Sequence, residues 1–149
     1  MGQVIEVKIC GINNVEAAIA AEKFGATHLG FIFYPPSPRA ITPKKAGLIA
    51  SKTTSAIKRV AVLVDPTDDL IENVMHHLSP NILQLHGMET PNRLFDIREK
   101  FKLPIMKAIR VSTFNDLELS KAYDSTSDMF LFDAKAPTSD KTSLPGGNG

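Results

Sequence analysis

Six short apolar runs alternate along this chain with longer amphipathic stretches, and this alternation restricts the fold more than any other feature. Each run has the length of a β-strand, several are rich in Val, Ile or Phe, and most are bounded by turn residues. They recur roughly every 22 to 30 residues, the length of one βα unit with short loops. The runs are Val7–Cys10, Leu29–Tyr34, Val60–Val64, Ile82–Leu85, Ile105–Ile109 and Met129–Phe132. We therefore predict an α/β fold of five βα units followed by a sixth strand.

Residues that typically begin or end helices lie where this alternation requires them. Thr67 is expected to cap the helix before the fourth strand, and Thr90–Pro91 suits the next helix because proline at the first helical position loses no needed N–H. Thr113 with Asp116 three residues later resembles a capping box. Gly25 follows the first helix, where a left-handed terminating residue belongs.

Two architectures use such units: an open doubly wound sheet and a closed (β/α)₈ barrel. A dinucleotide-binding sheet would carry G-x-G-x-x-G after its first strand, and Cys10–Asn13 does not match this pattern. Lys8, Gln84, Lys107 and Asp133 interrupt otherwise apolar strands, whereas fully buried strands of an open sheet are almost continuously hydrophobic. A barrel interior can hold such polar groups near its active-site end, although Lys8 and Lys107 could also belong to a polar layer that only pairs with itself. The barrel type is therefore favoured.

Composition restricts the class of partner. The 149 residues carry a formal net charge of +1, which gives no electrostatic reason to expect a nucleic acid or a membrane surface as partner. No apolar run reaches the eighteen residues of a membrane-spanning helix. A single cysteine, Cys10, excludes an internal disulfide and fits a reducing cytosol. We expect a cytoplasmic protein.

Four groups of residues, in the right order and well spaced, resemble the motifs of the phosphoribosylanthranilate isomerases. They are Lys8–Ile12, Gly30–Pro35 with Ser37–Arg39, Leu83–Gly87, and Phe132–Pro137 with the glycine-rich Pro145–Gly149. The resemblance covers the whole chain. It implies a (β/α)₈ barrel whose substrate is a phosphosugar attached to anthranilate.

Members of that family convert N-(5-phosphoribosyl)anthranilate to 1-(2-carboxyphenylamino)-1-deoxyribulose 5-phosphate, an Amadori rearrangement in tryptophan biosynthesis. An acid protonates the ring oxygen so that the sugar opens to an iminium, and a base then removes the proton from C2. The reaction has no net oxidation or reduction. The resemblance therefore implies neither a cofactor nor a metal.

The catalytic roles follow from the matched motifs. Cys10 matches the family's general base and Asp133 its general acid, at a strand end where barrel enzymes place their chemistry. A thiol is mostly protonated at neutral pH, and we hypothesise that Lys8, on the same face of the strand as Cys10, favours the thiolate. Taken without the resemblance, Cys10 could be a small buried apolar residue, and Asp133 a strand-ending residue or the ion-pair partner of Lys135.

Three further residues match the binding pocket. Arg39 matches the residue that holds the anthranilate carboxylate, because a planar guanidinium can form two parallel hydrogen bonds to a carboxylate. Gln84 and His86 share one strand face and are expected to line the pocket as polar contacts. The remaining histidines, His28, His76 and His77, are interpreted as structural, since adjacent helical residues do not face one metal site.

The length departs from the family's pattern. Barrels of this type rarely have fewer than about 200 residues, so we interpret residues 1–149 as a partial (β/α)-barrel domain without the last two to three βα units. In the family those units carry the phosphate site, on the loops after strands seven and eight. Open sheet edges on strands one and six would then favour self-association.

Three functions follow in order of preference. The first is the isomerase, impaired in a truncated chain. The second is a non-enzymatic barrel fragment that self-associates or completes the sheet of a partner. The third is another phosphate-binding barrel enzyme, such as indole-glycerol-phosphate synthase or a sugar-phosphate epimerase. Lys8–Ile12 and Phe132–Pro137 disfavour the third function.

Overall fold

The computed structural model describes residues 5–134 and contains the six strands that the apolar runs predict, with ends that differ by at most two residues. Lys135–Pro137 and Pro145–Gly149 lie outside the described residues. The strands are β1 (Lys8–Cys10), β2 (His28–Ile32), β3 (Lys58–Leu63), β4 (Ile82–Leu85), β5 (Ile105–Val111) and β6 (Met129–Ala134). The helices are α1 (Val15–Lys23), α2 (Pro43–Ala50), α3 (Asp68–Leu78), α4 (Pro91–Phe101) and α5 (Phe114–Glu118), which a 3₁₀ turn (Leu119–Tyr123) follows.

The six strands form one parallel sheet in the sequential order β1-β2-β3-β4-β5-β6. A doubly wound sheet would reverse its order part-way, whereas this sheet never does. With right-handed connections, a sequential order puts every helix on the same face of the sheet. The predicted fold class is confirmed: residues 5–134 form an incomplete barrel of the (β/α)₈ type, with β1 and β6 at its two edges.

The two faces of the sheet pack into separate apolar clusters. The larger cluster lies between the sheet and the helices, and its strand residues include Leu29, Phe31, Ala61, Leu63, Leu83, Leu85 and Ile105. The smaller cluster fills the concave inner face with Ile32, Val60, Val62 and Ile82, against which Cys10, Tyr34, Met106 and Met129 pack. The inner face is therefore where polar side chains near the strand ends can gather.

The predicted helix ends are confirmed by the backbone. Thr67 and Thr90 accept hydrogen bonds from N–H groups in the first turns of α3 and α4, at 3.3 and 3.2 Å. Asp116 accepts from the Thr113 N–H at 2.8 Å, as in a capping box. Gly25 follows α1 with φ of 88°, a left-handed value that glycine adopts without strain. Local sequence therefore determines where these helices begin and end.

The expectation that Lys107 points into the barrel is wrong. Ile105 packs on the helix side and Met106 on the inner side, so Lys107 faces the helices. There it forms a buried ion pair with Glu89, with Nζ and Oε2 2.7 Å apart. In a barrel both faces of a strand are apolar, so the residue pattern of β5 does not reveal which face Lys107 occupies. Gln84, by contrast, lies on the inner face as predicted, two residues after Ile82.

Apolar side chains are exposed on both edge strands. Ile9 on β1 is 42% exposed and Phe132 on β6 is 55% exposed. Self-association through these edges stays a prediction. No helix within residues 5–134 is both long enough and apolar enough to cross a membrane.

Replacing Gly47 with alanine is expected to destabilise the fold. A Cβ atom at this position of α2 would overlap the backbone carbonyl oxygen of His77 in α3. Alanine normally favours a helix over glycine by about 1 kcal/mol, whereas overpacking against a backbone costs about 1 to 3 kcal/mol. Urea denaturation should therefore show a net loss of stability. A net gain would contradict the close packing of α2 on α3.

Candidate active site

The Cys10 thiol lies on the inner face at the carboxyl end of β1. Cys10 pairs in register with Gly30 of β2 and is partly buried. A Cβ atom added to Gly30 would lie 3.1 Å from the Cys10 Sγ. That separation is tighter than ordinary van der Waals contact, so glycine at position 30 leaves the space that the thiol occupies.

Arg39 approaches the same strand end from the loop after β2. Its Nη1 donates a hydrogen bond to the Cys10 carbonyl oxygen at 3.2 Å. The side chain crosses over Gly11, whose φ of 86° is left-handed, and a Cβ atom there would lie 2.7 Å from the Arg39 Cδ. Gly11 therefore serves two purposes: it turns the chain after Cys10 and lets the arginine pass close to the backbone.

A second cluster of polar side chains lies at the carboxyl ends of β4 and β6. The Gln84 Nε2 and the His86 Nδ1 are 3.2 Å apart, and the His86 Nε2 lies 3.3 Å from the Asp133 Oδ2. The prediction that Gln84 and His86 share a face is confirmed. If the Gln84 amide donates to Nδ1, the proton of the neutral ring is on Nε2, the ring nitrogen that lies beside the Asp133 carboxylate.

His86 is held mainly in its neutral form. Its side chain is only 10% exposed, and burial is the main cause that lowers the pKa of His86 below 6.5. The positive charges of Arg110 and Lys107 lower this pKa further, whereas the neighbouring Asp133 raises it. A neutral imidazole beside a carboxylate can accept or donate one proton, which suits a site that transfers protons.

The lowered pKa of His86 predicts an acid-side loss of stability. An unfolded histidine takes up a proton as the pH falls below about 6.5, whereas folded His86 does so only at a lower pH. The unfolded state then binds more protons, so stability falls from pH 6.5 downwards until folded His86 is also protonated. His28, whose pKa burial also lowers, adds to this loss. Urea midpoints at several pH values measure it, and NMR titration, with His86→Gln for assignment, identifies His86. A His86 midpoint at or above 6.5 would contradict this picture.

The loop after β4 holds one buried residue that sequence reasoning missed. Glu89 is 4% exposed, and its Oε1 accepts hydrogen bonds from the N–H groups of Asp65 and Gly87, at 2.8 and 3.1 Å. Lys107 donates to the same carboxylate from β5. In the sequence, Glu89 is a lone acidic residue between the His86–Gly87 motif and the Thr90 cap. That pattern is equally typical of an exposed loop residue, so it does not predict burial.

Comparison with known proteins identifies the family. The family model described as N-(5'-phosphoribosyl)anthranilate (PRA) isomerase matches residues 7–149. The chain belongs to this isomerase family. An N-(5'-phosphoribosyl)anthranilate isomerase of Brucella canis is 45% identical over 145 residues, which cover 97% of this chain and 64% of the relative. The chain therefore spans about two thirds, 64%, of the length of this curated relative.

Solved structures of the isomerase family have the same fold. The phosphoribosyl anthranilate isomerase of Thermotoga maritima superimposes with a TM-score of 0.82 at 35% identity, covering 91% of this chain and 64% of that one. A second isomerase structure contains reduced 1-(o-carboxyphenylamino)-1-deoxyribulose 5-phosphate. It has a TM-score of 0.81 at 34% identity and covers 89% of this chain and 66% of that one.

The five residues that the isomerase motifs single out thus fall into two groups. Cys10 and Arg39 lie at the β1 end, and Gln84, His86 and Asp133 lie at the β4 and β6 ends. Because parallel strands end at one rim of the sheet, both groups border the same mouth of the curled sheet. Within residues 5–134, no cluster of three or more His, Cys, Asp or Glu side chains could hold a metal ion.

Proposed function

We propose that this protein is the isomerase that converts N-(5-phosphoribosyl)anthranilate to 1-(2-carboxyphenylamino)-1-deoxyribulose 5-phosphate, with Cys10 as base and Asp133 as acid. The observation that carries the proposal is the His86–Asp133 pair on β4 and β6, which lies at the same sheet rim as the Cys10 thiol on β1. A rearrangement that needs an acid and a base on opposite sides of one sugar suits two groups on opposite edge strands.

Asp133 delivers the first proton. Its carboxyl group protonates the ring oxygen, the bond from that oxygen to C1 breaks, and the nitrogen electron pair forms the iminium. Asp133 is left as a carboxylate, and an N–H on the His86 Nε2, 3.3 Å away, stabilises that charge. With its side chain 34% exposed, Asp133 remains within reach of a substrate at the rim.

Cys10 removes the second proton. Its thiolate takes the proton from C2, which gives an enolamine, and the enolamine becomes the ketone when its hydroxyl proton is lost and C1 is protonated. Two protons are gained and two are lost, so substrate and product are isomers. A thiolate needs a reduced cysteine, and we therefore place this activity in the cytoplasm.

Arg39, His86 and Gln84 complete the proposed site. The Arg39 guanidinium beside Cys10 would pair with the anthranilate carboxylate through its planar fork, which orients C2 towards the thiol. His86 lies beside Asp133 and would contact the sugar end of the bound substrate. Gln84 is 1% exposed, so its contribution is made mainly through the His86 ring. The reduced product held by the related isomerase has the carboxylate, amine and phosphosugar that such a pocket would bind.

Growth of a tryptophan auxotroph that lacks the isomerase tests this proposal in cells. Two proteins are expressed: the 149-residue chain, and a chimera in which the remaining part of the Brucella canis relative follows residue 134. We expect the chimera to restore growth without tryptophan, and Cys10→Ala or Asp133→Asn in the chimera to abolish it. The exposed Asp124→Asn is the matched control and should grow like its parent.

Two results would overturn the assignment. The first is growth of the Cys10→Ala and Asp133→Asn chimeras at the parental rate. The second is no growth with a chimera that is folded and expressed as well as the intact relative. Growth supported by the 149-residue chain alone would extend the activity to that chain.

A further inference from the structure

Lys107 donates hydrogen bonds to the backbone on both sides of His86, from the opposite face of the sheet. Its Nζ donates to the Gly87 carbonyl oxygen at 2.8 Å and to the Leu85 carbonyl oxygen at 3.4 Å. These two carbonyl groups flank His86 in the chain. The direction of the His86 side chain therefore depends on a lysine that no ligand at the rim can touch, because Lys107 is 2% exposed on the helix side.

Glu89 is the ion-pair partner of Lys107 and also holds the backbone of two loops. One carboxylate oxygen accepts from Lys107 at 2.7 Å, and the other accepts from the backbone N–H groups of Asp65 and Gly87. Asp65 in turn accepts from the Met88 N–H at 2.8 Å. Three consecutive residues of the loop after β4, Gly87, Met88 and Glu89, thus form hydrogen bonds that hold this loop to the loop after β3 and to β5.

The geometry of this pair is determined by its burial. The side chains of Lys107 and Glu89 are only 3% and 1% exposed, so neither charge can turn to water if the loop shifts. Tyr123 closes the site: its ring lies 5.5 Å from the Lys107 Nζ, and its hydroxyl donates to the Glu89 carbonyl oxygen at 2.9 Å. A buried pair held on all sides permits one loop conformation rather than several.

We propose that Lys107 and Glu89 are positioning residues of the isomerase site, which hold the His86 ring against Asp133 through the loop after β4. The proposal rests on the proposed role of Asp133 as the acid. It adds that the position of His86 is set by a buried ion pair on the far side of the sheet. A pair that only stabilised the fold could be removed without changing the surroundings of the His86 ring.

The test is an NMR titration of the His86 ring in the 149-residue chain, without substrate. Glu89→Gln leaves the positive charge of Lys107 in place and removes a negative charge, so electrostatics alone would move the pKa of His86 further down. The readout is therefore the drop in the His86 pKa that Asp133→Asn causes, because Asp133 raises this pKa in the parent. Loss of positioning moves the ring away from Asp133 and makes that drop smaller, whereas a change of charge at Glu89 alone leaves the drop unchanged. We expect the smaller drop in Glu89→Gln.

A second variant keeps the test decisive if Glu89→Gln does not fold. Lys107→Met/Glu89→Gln removes both charges, and we again expect Asp133→Asn to lower the pKa of His86 by less than it does in the parent. The exposed pair Lys58→Met/Glu6→Gln is the matched control and should leave the His86 titration unchanged.

A drop in the His86 pKa on Asp133→Asn that is as large as in the parent, in a folded Glu89→Gln or double variant, would overturn the proposal. Because the titration needs no turnover, this result is independent of the growth test. Failure of the isomerase assignment would therefore not be mistaken for failure of the positioning role.

Discussion

Asp133→Asn is expected to slow the isomerase reaction by about 10²- to 10⁴-fold, the usual contribution of a general acid. Asparagine has nearly the same size and keeps a polar group beside the His86 Nε2, which lies 3.3 Å from the Asp133 carboxylate. It cannot, however, transfer a proton to the ring oxygen. The loss should therefore fall on kcat, with KM changed much less. Steady-state kinetics of the purified chimera measure both constants.

The control for this prediction is Asp124→Asn, an exposed aspartate at the end of the 3₁₀ turn, outside the site. It should retain the parental kcat. If Asp133→Asn kept kcat within about threefold of its parent, another group would have to supply the proton, and the acid role of Asp133 would be lost.

Lys107→Met is expected to lower the free energy of unfolding by about 3 to 5 kcal/mol, the usual cost of leaving a buried charge without its partner. The partner is Glu89, whose side chain is 1% exposed. The change also leaves the Gly87 carbonyl oxygen without its Lys107 donor. Urea denaturation of the 149-residue chain measures the loss.

Two further variants show whether the loss of stability comes from the burial of an unpaired charge or from the loss of an ion pair as such. Lys107→Met/Glu89→Gln should recover much of the stability, because replacing both members of a buried pair is far less costly than removing one. Lys58→Met breaks the pair with Glu6, in which the side chains are 51% and 58% exposed, and should cost about 1 kcal/mol or less. Equal losses for Lys107→Met and Lys58→Met would contradict the buried pair.

Most of the fold could be predicted because its signals are local. Thr67, Thr90 and Gly25 act within one helical turn of the ends they mark, and the spacing of the apolar runs gave the βα repeat. The missing reversal in strand order, which decides between a barrel-type and a doubly wound sheet, is a property of the whole sheet. The absent G-x-G-x-x-G motif and the polar strand residues gave only indirect evidence for it.

The site was predicted as residues but not as contacts. The motifs singled out His86 and Asp133, yet nothing in the sequence showed that they form one pair, since they come from strands β4 and β6. The predicted direction of the Lys107 side chain was wrong for the same reason. Its partner Glu89 lies in a loop 18 residues earlier, and β5 carries apolar residues on both faces, so its pattern does not show which face Lys107 occupies. Contacts between distant residues need a sheet register and a loop conformation, which no local pattern contains.

The turnover of N-(5-phosphoribosyl)anthranilate by purified protein, followed as the loss of substrate fluorescence, tests the role of Cys10 as the base. Parent, Cys10→Ala and Cys10→Ser are compared in the 149-residue chain and in the chimera. We expect turnover in the parental chimera, about 10²- to 10⁴-fold less with Cys10→Ala, and little recovery with Cys10→Ser, because a hydroxyl is a far weaker base precursor than a thiol. Parental turnover in Cys10→Ala would rule out Cys10 as the base, and no turnover in a folded parental chimera would rule out the isomerase activity.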